Sequence, residues 1–303
     1  MKKTEAFLTN LDKIYWPEEG FTKGDLIQYY QSIAPFILPY LKNRPLSLKR
    51  NPNGIKDKGF FHKDAGSIAP SWIKTADILA DSTGKIVHYL VCNNLRSLLF
   101  IANVGCIEMN PWNSVTTQPD NPDYLVIDID PSDKNSFDDV IEVALATKEV
   151  LDTIGINGFC KTSGSTGMHI YIPCGQKYSY DMVRDLAKML AMMVHDRLPA
   201  LTTIERSLSK RKKNEVYVDF LQNSKGQTLA SAYSARPKAG ATVSTPLEWK
   251  EVKRGLHPSQ FTIKNILKRV EKKGDLFKAV LGKGINMTTV LKKIEKAGFV
   301  ELA

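Results

Sequence analysis

Tyr124-Leu125-Val126-Ile127-Asp128-Ile129-Asp130-Pro131 is the stretch on which the fold turns. Its aliphatic and β-branched residues favour a strand, where alternate side chains share a face. Leu125, Ile127 and Ile129 then face a core. Asp128 and Asp130 project together from the opposite side, about 7 Å apart. Two carboxylates held that close repel each other unless a cation joins them. Pro131 ends the strand and leaves the pair at its rim.

Working outward, Phe137 to Ile154 has helical spacing and stops at Gly155. Phe159 to Thr162 and Met168 to Pro173 read as strands around a Gly/Ser turn, and Tyr180 to Leu198 as a second amphipathic helix. Glu215 to Leu221 and Thr228 to Tyr233 read as a hairpin. From Tyr124 the order is strand, helix, strand, strand, helix, strand, which is that of ferredoxin-like and RNA-recognition folds. Upstream, Thr22 is placed to cap a helix from Lys23 to about Leu41, which Pro35 is expected to kink. Residues 45–64 read as strand, turn, strand, and residues 89–103 as a buried helix. There is no repeat or low-complexity linker. The expectation is an α+β chain forming one domain with lobes of about 1–120 and 121–281, then a C-terminal helix or tail over 282–303.

In Val216-Tyr217-Val218-Asp219-Phe220 the same alternation sets Asp219 opposite an apolar face. Three aspartates on neighbouring strands offer the hard oxygen donors that suit two divalent cations, a pair able to stabilise both oxygens of an in-line phosphoryl displacement. The turn Ser163-Gly164-Ser165-Thr166-Gly167, followed by Met168 and His169, can aim backbone N–H groups and hydroxyls at phosphate. From spacing alone the aspartates also fit solvated carboxylates at strand ends, and the turn an ordinary hairpin connection. No Walker A, Rossmann or K-x-D-G motif is present.

The 303 residues carry a net charge of +10, which suits a polyanionic partner. Residues 120–152 nevertheless hold ten acidic side chains against Lys134 and Lys148. An acidic stretch within a basic chain suits a metal site set in a phosphate-binding surface. The acidic residues beyond Asp133 read as a solvated helix face. Hydrophobic residues make up 43%, enough for a real core. No apolar run approaches the roughly 20 residues of a membrane span, and the N-terminal residues lack an apolar leader, so a cytoplasmic chain is the expectation. Cys92, Cys106, Cys160 and Cys174 form no C-x-x-C pair and read as reduced, buried thiols.

Taken together, Tyr124 to Pro131, Thr162-Ser-Gly-Ser-Thr-Gly-Met-His169 and Val216-Tyr-Val-Asp219-Phe resemble the polymerase domain of bacterial DNA ligase D, a member of the archaeo-eukaryotic primase superfamily. The resemblance runs from about Leu8 to Leu281. It implies a primase-polymerase fold, with an RRM-like catalytic sheet, flanking helices and an N-terminal β-containing lobe. It implies a template-directed nucleotidyltransferase of non-homologous end joining, acting on DNA ends with a 5′-phosphate and on template-primer duplex, with Ku and a DNA ligase as partners. Asp128, Asp130 and Asp219 would hold two Mn²⁺ or Mg²⁺ ions. Lys49, Ser163, Gly164, Ser165, Thr166, Gly167, His169, Gln222 and Arg236 would bind the NTP or dNTP, ribonucleotides and Mn²⁺ being preferred. Asn10, Lys13, Lys23, Arg50, Phe60 and Phe61 would contact DNA. Phe60 and Phe61 are adjacent, so a strand cannot bury both on one face, and aromatic rings beside cations hold unpaired bases. A primase that starts chains de novo, a two-metal nuclease and a non-catalytic end-binding module are the competing readings. Three departures from the family pattern stand out: Thr166 in place of a common lysine, Asn110 in place of the His of His-Pro-Trp, and the run Arg211-Lys212-Lys213 where relatives usually place one arginine.

Overall fold

The structure, a computed structural model, describes residues 7–80 and 83–299. In chain order the elements are β1 (Ile14–Trp16), β2 (Phe21–Thr22), α1 (Lys23–Leu41), β3 (Pro45–Arg50), β4 (Phe60–His62), β5 (Thr75–Ala80), β6 (Lys85–Val91), α2 (Leu95–Asn103) and β7 (Cys106–Pro111). There follow β8 (Tyr124–Pro131), α3 (Phe137–Thr153), β9 (Phe159–Thr162), β10 (Met168–Pro173), α4 (Tyr180–Arg197), β11 (Thr202–Thr203), β12 (Val216–Asp219), β13 (Pro246–Leu247), α5 (Ile266–Lys273) and α6 (Met287–Lys296). The chain divides into two compact units. The first gathers the chain up to Thr117 with Thr228–Thr245 and Pro258–Asp275. The second gathers Gln118–Gln227, Pro246–His257 and the chain from Leu276.

In the first unit β3 is the hub, pairing antiparallel with β7, β4 and β6. Thr22 and Asp25 cap α1 reciprocally, Asp25 N–H donating to Thr22 Oγ1 and Thr22 N–H to Asp25 Oδ2. Leu26, Tyr29, Tyr30, Ile33 and Ile37 form its buried stripe, as their spacing predicts. Pro35 does not interrupt the helix. Gln31, Pro35 and Pro39 all lie on the exposed face, so the carbonyls that the prolines leave without an N–H partner belong to residues on the solvent side. The helix expected over residues 89–103 is corrected: Lys85–Val91 is a strand paired with β5, and α2 begins only after Asn94, whose side chain accepts from Ser97 N–H. A short apolar run such as Tyr89-Leu90-Val91 carries no period of its own.

In the second unit the central strands stand in the order β12-β8-β10-β9, with β11 and β13 outside them. Numbered along the chain this is fourth, first, third, second, the arrangement that two interleaved β-α-β units produce. Helices α3 and α4 pack against the sheet. Leu125, Ile127 and Ile129 on β8 are fully buried. The expected hairpin of Glu215–Leu221 with Thr228–Tyr233 does not form. β12 pairs instead with β8 and, parallel, with β11. Thr228–Tyr233 belongs to the first unit, where Thr228 bridges Trp112 and Ser231 N–H donates to the Met109 carbonyl. The C-terminal segment begun at residue 282 contains α6, and its last four residues lie outside those described.

Candidate active site

Because β8 lies between β12 and β10, directly opposed residues line up in rows across one face. Asp219 is the partner of Asp128, Asp128 of His169, and His169 of Lys161. One row therefore reads Asp219, Asp128, His169, Lys161 across four strands. The next pairs Tyr217 with Asp130. Asp128 is half-buried, Asp219 is buried, and Asp130 at the rim is exposed.

Asp219 is held from three sides. The Tyr217 hydroxyl (3.1 Å) and Leu221 N–H (2.7 Å) donate to Oδ1, and Gln222 Nε2 (3.1 Å) to Oδ2. Burial, then the neighbouring Asp219 charge, pushes the Tyr217 phenol well above its usual range, so it remains a donor. The Arg211 guanidinium lies 3.6 Å from the centre of the Tyr217 ring. Asp130 reaches solvent, yet the protein packed round its carboxyl raises its pKa. The Asp219 charge adds to that rise, and Arg211 opposes it. Of the basic run, Arg211 is thus the member beside the carboxylates, while Lys212 pairs with Glu215. Among the described residues no three carboxylate, imidazole or thiol groups converge on one point at metal-ligating distance. The donor set, all oxygen on one face and in adjoining rows, is that of a hard divalent cation.

The β9–β10 turn sits at the same rim. Gly164 takes a positive φ of 72°. A Cβ on Gly167 would collide with the Ile129 carbonyl oxygen on β8, so this glycine is what lets the turn lie directly on the strand that carries both aspartates. Ser163 Oγ accepts from the N–H groups of Ser165 and Gly167, each at 3.1 Å, so part of the expected N–H concavity is already occupied by the loop's own hydroxyl. Ser165 is half-buried and Thr166 exposed. His169 directs Nε2 toward Asp128 Oδ1 at 3.4 Å, and its Nδ1 lies 2.7 Å from Lys161 Nζ.

Sequence reasoning missed Tyr217, Lys161 and Asn223. Asn223 is fully buried. It accepts from Val126 N–H at 2.8 Å and donates to the Val126 carbonyl at 2.7 Å, completing the ladder of β8 where β12 has already ended. Only its position directly after Gln222, four residues past Asp219, hinted at a role.

The remaining predicted residues lie in the first unit. Asn10, Lys13, Lys23 and Arg50 line one cavity of about 240 Å³, joined by Tyr15, Asn103 and the Gly105 backbone. Lys13 donates to Asn53 Oδ1 and Lys23 to the Thr9 carbonyl. Burial, then the charge of Lys13, lowers the Lys23 pKa, the electrostatic state an incoming anion reverses. Phe60 and Phe61 are 47% and 58% exposed on the edge strand β4. Arg50 lies 5.4 Å from the Phe60 ring centre and Lys49 Nζ 4.7 Å from that of Phe61. Arg236 forms a 2.7 Å ion pair with the buried Glu108, and Asn110 is buried with its amide on the Glu108 carbonyl.

Residues 22–277 match the family model described as LigD, primase-polymerase domain. The chain is 32% identical over 268 residues to the bifunctional non-homologous end joining protein LigD of Bacillus subtilis, covering 88% of this chain and 42% of that protein. It is 33% identical over 279 residues to the multifunctional non-homologous end joining DNA repair protein LigD of Mycobacterium tuberculosis H37Rv, covering 89% of this chain and 36% of that protein. The chain therefore spans about two-fifths of the length of these relatives. Its fold superposes on the polymerase domain from Mycobacterium tuberculosis ligase D, solved in complex with DNA, with a TM-score of 0.83 and 30% identity, over 92% of this chain and 98% of that one.

Proposed function

The chain belongs to the LigD primase-polymerase family, and on that premise we propose that it adds nucleotides to the 3′-hydroxyl of a DNA end, directed by a template, in non-homologous end joining. The observation that carries this reading is the row Asp219, Asp128, His169 on three adjacent strands, with Asp130 beside it and the Ser163-to-Gly167 turn at the same rim. Asp128, Asp130 and Asp219 are the residues that would hold two Mn²⁺ or Mg²⁺ ions. Such ions, when bound, supply charge stabilisation at the attacking and leaving oxygens of a phosphoryl displacement. The chain's own part is positioning. Tyr217, Leu221 and Gln222 fix the direction of Asp219, and His169 with the turn offers donors to phosphate oxygens.

The first unit supplies DNA contacts in this reading. The cavity of Lys13, Lys23, Asn10 and Arg50 has the size and charge for a terminal 5′-phosphate, and Phe60 and Phe61 present open rings beside cations for unpaired bases. Lys49 and Arg236 are assigned to the nucleotide, with ribonucleotides and Mn²⁺ preferred. Ku and a DNA ligase are the partners this role requires.

The test is primer extension on a gapped, 5′-phosphorylated duplex with labelled NTPs and Mn²⁺, the wild type beside Asp128→Ala/Asp130→Ala. Extension by the wild type alone is expected. Retained DNA binding without extension by either protein points to an end-binding module instead. Synthesis on an unprimed single strand points to a primase, and shortening of the DNA to a nuclease.

A further inference from the structure

Lys161 lies on β9 and is fully buried, its side chain running across the sheet face toward β10. A buried lysine is costly, and a methionine of similar length would pack the same space without that penalty. What Lys161 adds is direction. Its Nζ sits 2.7 Å from His169 Nδ1 and 5.5 Å from the centre of the Tyr171 ring, so it is wedged between the two alternate residues that β10 presents on this face. Tyr171 is itself fixed by ring contacts at 4.9 Å to Tyr124 and 5.0 Å to Phe277. An ammonium group carries donors and no acceptor. At this contact Lys161 therefore gives the hydrogen and His169 Nδ1 receives it. The imidazole proton then belongs on Nε2, the nitrogen that points toward Asp128 at 3.4 Å.

We propose that Lys161 is a positioning residue that fixes the tautomer and ring orientation of His169, so that His169 presents Nε2–H, as a donor, to a nucleotide phosphate beside Asp128. The arrangement is the lysine counterpart of the outer partners that orient histidines elsewhere: the group bonded to one ring nitrogen decides what the other can do. Here the outer partner is a donor rather than a carboxylate, so the inner nitrogen carries the proton instead of a lone pair. This inference rests on the reading of His169 as a phosphate-facing group.

Two measurements test it, one of them independent of nucleotide. The first is ¹⁵N NMR of the histidine-labelled chain, with the His169 signals identified through His169→Gln. Expected in the wild type are a protonated Nε2 and an Nδ1 at the shift of a hydrogen-bonded acceptor. In Lys161→Met that Nδ1 signal moves to the shift of an unbonded nitrogen, or the two tautomers mix. A proton on Nδ1 in the wild type overturns the proposal, and that result is readable even if Lys161→Met does not fold. The second is a double-mutant cycle on affinity for ATP with Mg²⁺. Lys161→Met weakens binding about tenfold when His169 is present and less than twofold in a His169→Ala background, in keeping with the loss of one charge-assisted hydrogen bond. Equal losses in both backgrounds mean that Lys161 does not act through His169, and overturn the proposal. If the wild-type NMR signature is as expected but ATP does not bind at all, the positioning of His169 stands and the nucleotide reading of the site fails.

Discussion

Replacing Asn223 isolates the contact that finishes β8, a central strand of the six-stranded sheet. Its side chain satisfies both backbone groups of Val126, at 2.8 and 2.7 Å, and donates again to the Phe220 carbonyl at 2.8 Å. Both Asn223 and Val126 are fully buried. In Asn223→Ala the Val126 N–H and C=O lose their partner in a place water does not reach. Each buried group left unsatisfied costs about 1–3 kcal/mol. Allowing for a water entering the space the amide vacates, the variant should lose about 3 kcal/mol. With a urea slope of about 3 kcal/mol/M, the unfolding midpoint falls by about 1 M at unchanged slope. Asn223→Asp should be at least as damaging, because it keeps the acceptor for Val126 N–H but sets a carboxylate against two carbonyl oxygens. Urea unfolding followed by intrinsic fluorescence measures both. A loss below about 1 kcal/mol in Asn223→Ala would refute the reasoning, since it would mean that Val126 finds other partners and that β8 does not need this side chain.

Lys13→Ala/Lys23→Ala should bind a 5′-phosphorylated gap at least tenfold more weakly, bind a 5′-hydroxyl gap as the parent does, and lower the salt slope by about two. Because the Lys23 pKa is lowered, the parent's preference for the 5′-phosphate should fade as pH rises through that lowered value, where the ammonium is lost; fluorescence anisotropy against pH checks this. Phe60→Ala and Phe61→Ala should each weaken binding to a single-stranded overhang by about 1–3 kcal/mol and leave blunt duplex little changed, as measured by competition titration. Burial raises Cys160 and Cys174 to about 12 and Cys92 and Cys106 further still. All four thiols should therefore resist iodoacetamide at pH 8 until the chain is unfolded, which peptide mass spectrometry reads directly.

Much of the second unit was legible in the sequence because its strands and helices carry their own periods. Strand alternation placed Asp128 and Asp130 opposite a buried Leu125, Ile127 and Ile129, and β8 has that geometry. The glycines marked the turn that lies against β8. What stayed hidden was pairing across distance. Val216–Asp219 reads as half of a hairpin with the strand-like run after it, but the edge of β8 is the better partner, and the following run serves the other unit. Lys161 reads as one more strand lysine: the β9–β10 hairpin sets it opposite His169, but the alternation does not say that its side chain is fully buried with Nζ on the imidazole. Pro35 leaves the Gln31 carbonyl without its N–H partner, and the sequence does not say that Gln31 lies on the exposed face of a helix that continues through it. In the first unit, Lys13 and Lys23 have no pattern of their own. Only the family resemblance singled them out, and the fold brings them to one cavity.

The central claim is that Asp128, Asp130 and Asp219, which lie in adjoining rows on one sheet face, act as one site for two divalent cations. Mn²⁺ titration followed by electron paramagnetic resonance, in the presence of a non-hydrolysable NTP, tests it directly. The account predicts two Mn²⁺ per chain with the spin coupling of neighbouring ions, and loss of that coupled signal in Asp128→Asn and in Asp219→Asn alike. Uncoupled Mn²⁺ bound equally by the wild type and both variants would contradict it.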